Sequence, residues 1–282
     1  MRSVSLSRRF YALLRTVAVL FILAFYLAPF WWVVTTSFRL EVEERDQPLV
    51  LYPHPFHLDN YAAILLHNER DVMTGLQNSL LAATATTLLC VLLGSLAGYA
   101  YARLSFPGKG LSLGLMLATW MIPWLIVLIP LWAILYELGL VDTILGLVIG
   151  FSSGFLPIST WIMLSHFKSI PEELEDSARI DGCSRIGALF RVILPISTPA
   201  IMATGAFAFI SSMGEFIFSL LMTTTMQSKT LPLVLSSLAG KFVTEKTMMA
   251  AGSMIAVIIP VILTMLFQRY LIAGLSAGAV KG

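Results

Sequence analysis

The chain has 282 residues, of which 57% are hydrophobic and only 12% charged, and its formal net charge is +2. A soluble domain carries about 25% charged residues, so this chain lacks the polar surface that an ordinary water-soluble enzyme needs. The near-neutral balance also leaves no basic face for phosphates, which excludes nucleic-acid binding as the main activity, and the arithmetic points to a membrane.

Six apolar stretches follow one another along the chain, and a helix needs about 20 such residues to cross the hydrocarbon core. They cover residues 16–38, 76–102, 111–136, 143–167, 196–222 and 248–268. They are predicted to be helices, because a helix satisfies its own backbone in lipid. Arg8, Arg9 and Arg15 precede the first stretch, as in a signal peptide. Its uncharged run is too long for that, it ends in Phe30, Trp31 and Trp32, and no small-x-small cleavage site follows. It is read as a retained span with Trp31 and Trp32 at the far interface.

Six of the 18 Lys and Arg residues (Arg39, Arg45, Arg70, Lys229, Lys241 and Lys246) fall on one side of the six spans, and the other twelve on the side of the amino terminus. The positive-inside rule then places both termini in the cytoplasm. The long outer segment 39–75 is acidic, carries Pro48, Pro53 and Pro55, and contains a predicted short surface helix over 58–66. A second outer loop covers 223–247.

Catalytic signatures are sparse. Gly150, Ser152 and Gly154 have the spacing of a nucleophile elbow, but they lie inside an apolar span without His or acidic partners, so helix packing is the better reading. His54 and His57 share an outer loop with no third ligand nearby, and a metal site is not expected there. Neither Gly108-Lys109 nor Gly240-Lys241 has the glycine or the Ser/Thr of a phosphate loop, so this chain is not expected to hydrolyse ATP itself. Cys90 lies in the second span and Cys183 in an inside loop, which rules out a disulfide framework. Gly94 and Gly98 form a small-xxx-small pair suited to close helix approach.

The inside loop between the fourth and fifth spans reads HFKSIPEELEDSARIDGCSRIGALFRVILPISTP over 166–199. Ser169 and Glu172 have capping-box spacing with Pro171 in the first turn. Ile170, Leu174, Ala178 and Ile180 give the predicted helix a weakly apolar face. Glu172, Glu173, Glu175 and Asp176 load its amino-terminal end, where the dipole favours negative charge. Gly182 is placed to end it in a left-handed cap, and a second helical stretch, 184–193, runs into Pro195 and Pro199. An amphipathic helix lying on headgroups prefers basic residues, which an acidic start contradicts. The acids suit a docking helix for a cytoplasmic partner bearing Lys or Arg.

This loop resembles the EAA motif of ABC importer permeases: E-A-A, three residues, Gly, nine residues, Ile, one residue, Leu-Pro. The matching positions are Asp176, Ser177, Ala178, Gly182, Val192, Leu194 and Pro195, with Asp for Glu, Ser for Ala and Val for Ile. Ala178-Arg179-Ile180-Asp181-Gly182 is similar to the A-R-I-D-G of the carbohydrate-uptake branch. Asn78-Ser79-Leu80, Gly214-Glu215-Phe216 (similar to the family's N-E-F) and the ending from Gln268 to Gly282 resemble the maltose-permease G-type subunits.

The resemblance implies an all-α membrane protein of the type I ABC importer permease fold, with six transmembrane helices. Residues 1–75 would form a tail, first helix and outer loop. The core transmembrane domain would be 76–272, with a coupling loop at 168–198, and 273–282 would be a cytoplasmic tail. It implies a multi-pass protein of a bacterial or archaeal cytoplasmic membrane. The partners implied are a second permease, two cytoplasmic ATPase subunits, an external sugar-binding protein and lipid. No cofactor is expected on this chain; ATP and magnesium belong to the ATPase. The expected ATPase-coupling residues are Glu172, Glu175, Asp176, Ser177, Ala178, Asp181, Gly182, Leu194 and Pro195. Either Glu175 or Asp176 could make the main contact. Gly214, Glu215 and Phe216 are expected on the substrate pathway, with Phe207, Phe209 and Phe218 as further aromatics. Loop 223–246 resembles the one that probes the docked binding protein. Two other readings stay open: a permease for another solute, and a proton-coupled secondary transporter using Glu215, the only carboxylate within a span.

Overall fold

The computed structural model describes residues 3–46, 51–52, 55–239 and 245–279. Pro48, Pro53, His54, Gly240, Lys241 and the last three residues lie outside that set. Contacts divide the chain into two units, one of Met1–Arg70 with Leu235–Ala256, the other of Asp71–Val234 with Val257–Gly282.

In the first unit, α1 (Ser3–Ser37) is a long helix whose apolar side chains from Phe10 to Leu27 stay exposed, as expected of a lipid-facing or partner-facing span. Trp31 Nε1 donates to Leu51 O at 3.0 Å. Two short helices follow, α2 (Glu41–Asp46) and α3 (Asp59–His67), the latter matching the helix predicted over 58–66. Buried Arg39 and Glu44 pair with each other, and Asn60 Nδ2 donates to Arg39 O at 2.9 Å. His57 Nε2 sits 3.2 Å from Glu43 Oε1, so this histidine is tied to a carboxylate. No cluster of three His, Cys, Asp or Glu suited to a metal occurs among the described residues.

The second unit is built on α4 (Val72–Arg103), α7 (Ile144–Ser169) and α11 (Thr198–Met213), which pack on one another. Gly94 and Gly98 let α4 approach α7: a Cβ on Gly98 would lie 2.8 Å from Leu164 N, and one on Gly94 3.1 Å from Ser159 Cβ. Gly150 of the elbow-like triplet sits in the interior of α7 against Phe218, a packing role.

Two expected spans are not straight helices. The third is α5 (Lys109–Ala118) with a 3-10 turn to Met121, then α6 (Trp124–Glu137), with a bend of 104°. Pro123 explains it. Proline donates no backbone hydrogen bond and forces the preceding residue out of the helical region, and Ile122 is extended, at φ −77° and ψ 125°. The fifth begins early, in α9 (Arg185–Ala188), a π turn over Leu189–Ile193 and α10 (Leu194–Ile196). It then bends by 78° at Ser197 into α11. Pro199 cannot donate at the head of α11, and the Thr198 hydroxyl instead donates to Pro195 O at 2.6 Å. Helix α11 also stops at Met213, leaving Gly214–Phe216 outside any helix before α12 (Ile217–Met222). Helices α13 (Leu231–Ser237) and α14 (Lys246–Ala279) complete the order. Among the described residues, four helices could cross a membrane unbroken, and each bent pair could supply one more span, giving up to six.

A polar clamp orders the loop after α12. The carboxylate of Asp142, in the turn between α6 and α7, accepts from Thr224 N at 2.9 Å, Thr225 N at 3.0 Å and Ser228 Oγ at 2.6 Å. Burial pushes its pKa up, but these bonds outweigh that and hold it well below the usual carboxylate range. A depressed folded-state pKa gives stability that is present above the unfolded value, about 4, and lost as pH falls through the folded one. Asp142→Ala is therefore expected to cost about 2 kcal/mol locally. Limited proteolysis of the purified protein should cut within 223–230 faster in this variant, and faster in the parent below about pH 4.

Candidate functional site

The loop after α7 forms α8 (Glu172–Ile180), then a tight turn into α9. Cys183 N donates to Ala178 O at 3.0 Å and Gly182 N to Arg179 O at 3.1 Å, the paired closing bonds of a Schellman motif. Gly182 is left-handed at φ +91°, as predicted. One other expectation fails and one holds in part. The capping box does not form: Ser169 Oγ donates back to His166 O, and Pro171 occupies the cap position without a side-chain bond. The predicted apolar face is buried only in part: Ile170 and Ala178 are buried, but Leu174 is 45% and Ile180 86% exposed, and Glu175 takes an inward position instead.

The physical reason is charge pairing across helices. Tyr99 OH, in the last turns of α4, donates to Glu175 Oε1 at 2.6 Å. Arg103 Nε lies 3.4 Å from Glu175 Oε2, and Arg103 Nη2 donates to Ile170 O at 2.6 Å. A carboxylate with a cation and a phenol waiting inside gains more from turning in than the leucine does. Its neighbour takes the opposite role: the Asp176 side chain is 65% exposed and pairs with Arg179 of its own helix, at 3.5 Å. Glu172, Ser177, Asp181, Gly182 and Pro195 are also exposed. Leu194 packs against the cluster of Tyr99, Phe167 and Ile193. Ile186 and Phe190 add exposed apolar surface, at 70% and 52%.

Beside the middle of α7 a cavity of about 870 Å³ opens, walled by Trp120, Trp124, Phe151, Phe155 and Phe207, with Thr119, Ser153, Ser211 and Glu215 as its polar or charged contributors. The Glu215 carboxylate accepts from Phe218 N at 3.0 Å and Ser219 N at 3.1 Å, capping the donors freed where the helix breaks. Of the three pathway residues expected from the sequence, only Glu215 lines this cavity; Gly214 is exposed beside it and Phe216 lies off it. Phe207 lines it and Phe209 does not, while Phe218 is buried against Trp124 and Phe151. Trp120 and Trp124 were not anticipated. The Trp-Met-Ile-Pro-Trp run around Pro123 was the available signal, because a break there turns both indoles toward α7.

Residues 90–277 match the family described as the binding-protein-dependent transport system inner membrane component. The chain belongs to that family. It is 37% identical to the trehalose/maltose transport system permease protein MalG of Thermococcus litoralis, over 91% of this chain and 92% of that one. It is 33% identical to the sulfoquinovosyl glycerol transport system permease protein SmoH of Agrobacterium fabrum, over 95% and 94%. The trehalose transport system permease protein SugB of Mycobacterium tuberculosis is 32% identical over 97% of each. In structure it is similar to a chain from a bacterial ABC transporter involved in import of the acidic polysaccharide alginate, at a TM-score of 0.77, 20% identity and coverage of 94% and 97%. This ABC permease is therefore an inner-membrane transport subunit and not an enzyme, and its family implies an ATPase and a binding protein as partners. Membership also sets aside the proton-coupled secondary transporter.

Proposed function

We propose that this permease forms half of the translocation pathway of a carbohydrate importer, crossing the membrane six times with both termini inside beside a second, related permease. Loop 168–198 docks one ATPase, which holds the ATP and magnesium, and ATPase closure drives alternating access. The observation that carries this reading is the outer surface of the loop from α8 to the π turn after α9, where Asp176, Asp181, Leu174, Ile180, Ile186 and Phe190 all stand exposed. Apolar side chains of that size, grouped with acids on a loop outside the spans, call for a protein cover. The A-R-I-D-G run and the trehalose and maltose relatives support a sugar as cargo.

Asp176→Lys tests the docking. It reverses an exposed charge and touches no buried contact, so the permease should insert normally while ATPase subunits cease to co-purify. Retained ATPase at wild-type stoichiometry would refute the assignment. The cavity is placed on the sugar path because aromatic walls with a few hydroxyls and one carboxylate suit a ring with an apolar face and polar edge. Glu215→Gln keeps the shape and one acceptor. Its expected result is reduced uptake with unchanged complex yield; lowered yield at normal specific uptake would make Glu215 a helix cap only.

A further inference from the structure

We propose that Glu175, Arg103 and Tyr99 form the joint that makes α4 follow α8, so that Glu175 is a positioning residue for coupling and not part of the ATPase-binding face. The proposal rests on the docking of the ATPase at the loop. A docked helix transmits a displacement only if it is stiffly attached to a span, and the backbone does not provide that. Helix α8 leaves α7 through Ile170, extended at φ −83° and ψ 128°, and ends at left-handed Gly182. Both are points where the chain can bend. On its inner side α8 buries only Glu175 and Ala178.

The side chains supply the missing stiffness. Tyr99 and Arg103 stand one turn apart at the end of α4. Tyr99 OH donates to Glu175 at 2.6 Å, and the Arg103 guanidinium, 6% exposed, meets Glu175 at 3.4 Å, Ile170 O at 2.6 Å and Glu172 at 3.6 Å. One arginine thus holds the entry to α8, its first turn and its buried carboxylate. Arg185 of α9, 3.9 Å from Glu175, adds a second cation to the same carboxylate. Pulling α8 away from α4 would break the Tyr99 and Arg103 contacts to Glu175 and the Arg103 bond to Ile170 O together, so moving α4 along with it is the less costly response. Helix α4 in turn touches α7 closely at Gly94 and Gly98, which carries the movement into the core.

The test uses the complete transporter in proteoliposomes, with three readouts: co-purified ATPase, ATP hydrolysis stimulated by loaded binding protein, and uptake per ATP hydrolysed. Glu175→Gln keeps the size and removes the charge. Tyr99→Phe removes one hydroxyl and keeps the ring on Phe167. Both should retain the ATPase and hydrolyse ATP, with uptake per ATP down by roughly tenfold in Glu175→Gln and several-fold in Tyr99→Phe, the scale of one charge-assisted hydrogen bond. A merely structural role would lower the amount of complex and leave that ratio unchanged. Unchanged uptake per ATP in both variants overturns the joint. Loss of the ATPase in Glu175→Gln, with normal insertion, also overturns it, by moving Glu175 to the docking face. If Glu175→Gln fails to insert, Tyr99→Phe alone decides. The docking reading fails separately, through ATPase retention in Asp176→Lys.

Discussion

Gly98→Leu should abolish folded permease, with little protein surviving detergent extraction as a monodisperse species. The cause is steric and lies in the close packing of α4 against α7. A Cβ at position 98 would sit 2.8 Å from the backbone nitrogen of Leu164 and 2.8 Å from Met163 Cβ. Backbone cannot rotate aside as a side-chain tip can, so α4 and α7 must separate along their contact. Overpacking of this kind costs about 1–3 kcal/mol for one added carbon, which sets the expectation for Gly98→Ala, and a branched side chain adds to it. Gly94→Ala, whose Cβ would meet Ser159 at 3.1 Å, should be milder. Ranking the three by thermal unfolding in detergent tests the account: Gly94→Ala nearest the parent, then Gly98→Ala, then Gly98→Leu. Equal stability for all three would mean that α4 and α7 can slide apart at no cost. In lipid no hydrophobic force restores a separated helix pair, so close packing has to carry the association.

The same glycines illustrate what could be read directly from the chain. Apolar stretches between charges locate spans because hydrocarbon tolerates few other sequences, and α1, α4, α7 and α14 lie where that argument puts them. Small residues four apart mark a packing face for equally local reasons. The bends were harder to read. Uniformly apolar residues from 111 to 136 hide the break at Pro123, because hydropathy carries no directional information; only the proline and its flanking tryptophans do. The cavity was hidden for the same reason, since its walls come from α6, α7 and α11 and from the two breaks between helices.

The loop shows a different limit. The spacing of Ile170, Leu174, Ala178 and Ile180 suggested one apolar face, the default for a helix on an apolar support; Ile170 and Ala178 are buried as such a face requires, but Leu174 and Ile180 are not. What overrides it is a cation on a helix 72 positions earlier, Arg103, whose side chain is almost fully buried and takes the carboxylate of Glu175 as its partner. No periodicity within 172–180 can show this. The result separates two adjacent acids that spacing alone left interchangeable: Glu175 is directed at its own permease and Asp176 away from it. It also explains why apolar side chains are left outside, where a docking partner would cover them.

Gly182→Asp should reduce uptake by at least tenfold while leaving insertion and folded yield close to the parent, a change on the scale of about 1.4 kcal/mol or more in the coupled state. Nothing lies within 4 Å of a Cβ at this position, so the substitution creates no clash. Its first effect is conformational. At φ +91° an L-residue is strained by about 1–2 kcal/mol, and relief of that strain breaks the bonds from Cys183 N to Ala178 O and from Gly182 N to Arg179 O. The segment from Ser184 onward then leaves α8 at a different angle, displacing the exposed Ile186 and Phe190 relative to α8. The second effect is electrostatic: a new carboxylate joins Asp181 at the carboxyl end of α8, where the helix dipole disfavours negative charge. Gly182→Ala carries the first effect without the second, and Gly182→Asn carries less of the strain and no charge. Uptake should therefore fall in the order asparagine, alanine, aspartate, with ATPase co-purification falling in parallel. Wild-type uptake in the aspartate variant would show that the angle between α8 and α9 does not matter to the partner, and the loop would then have to act through α8 alone.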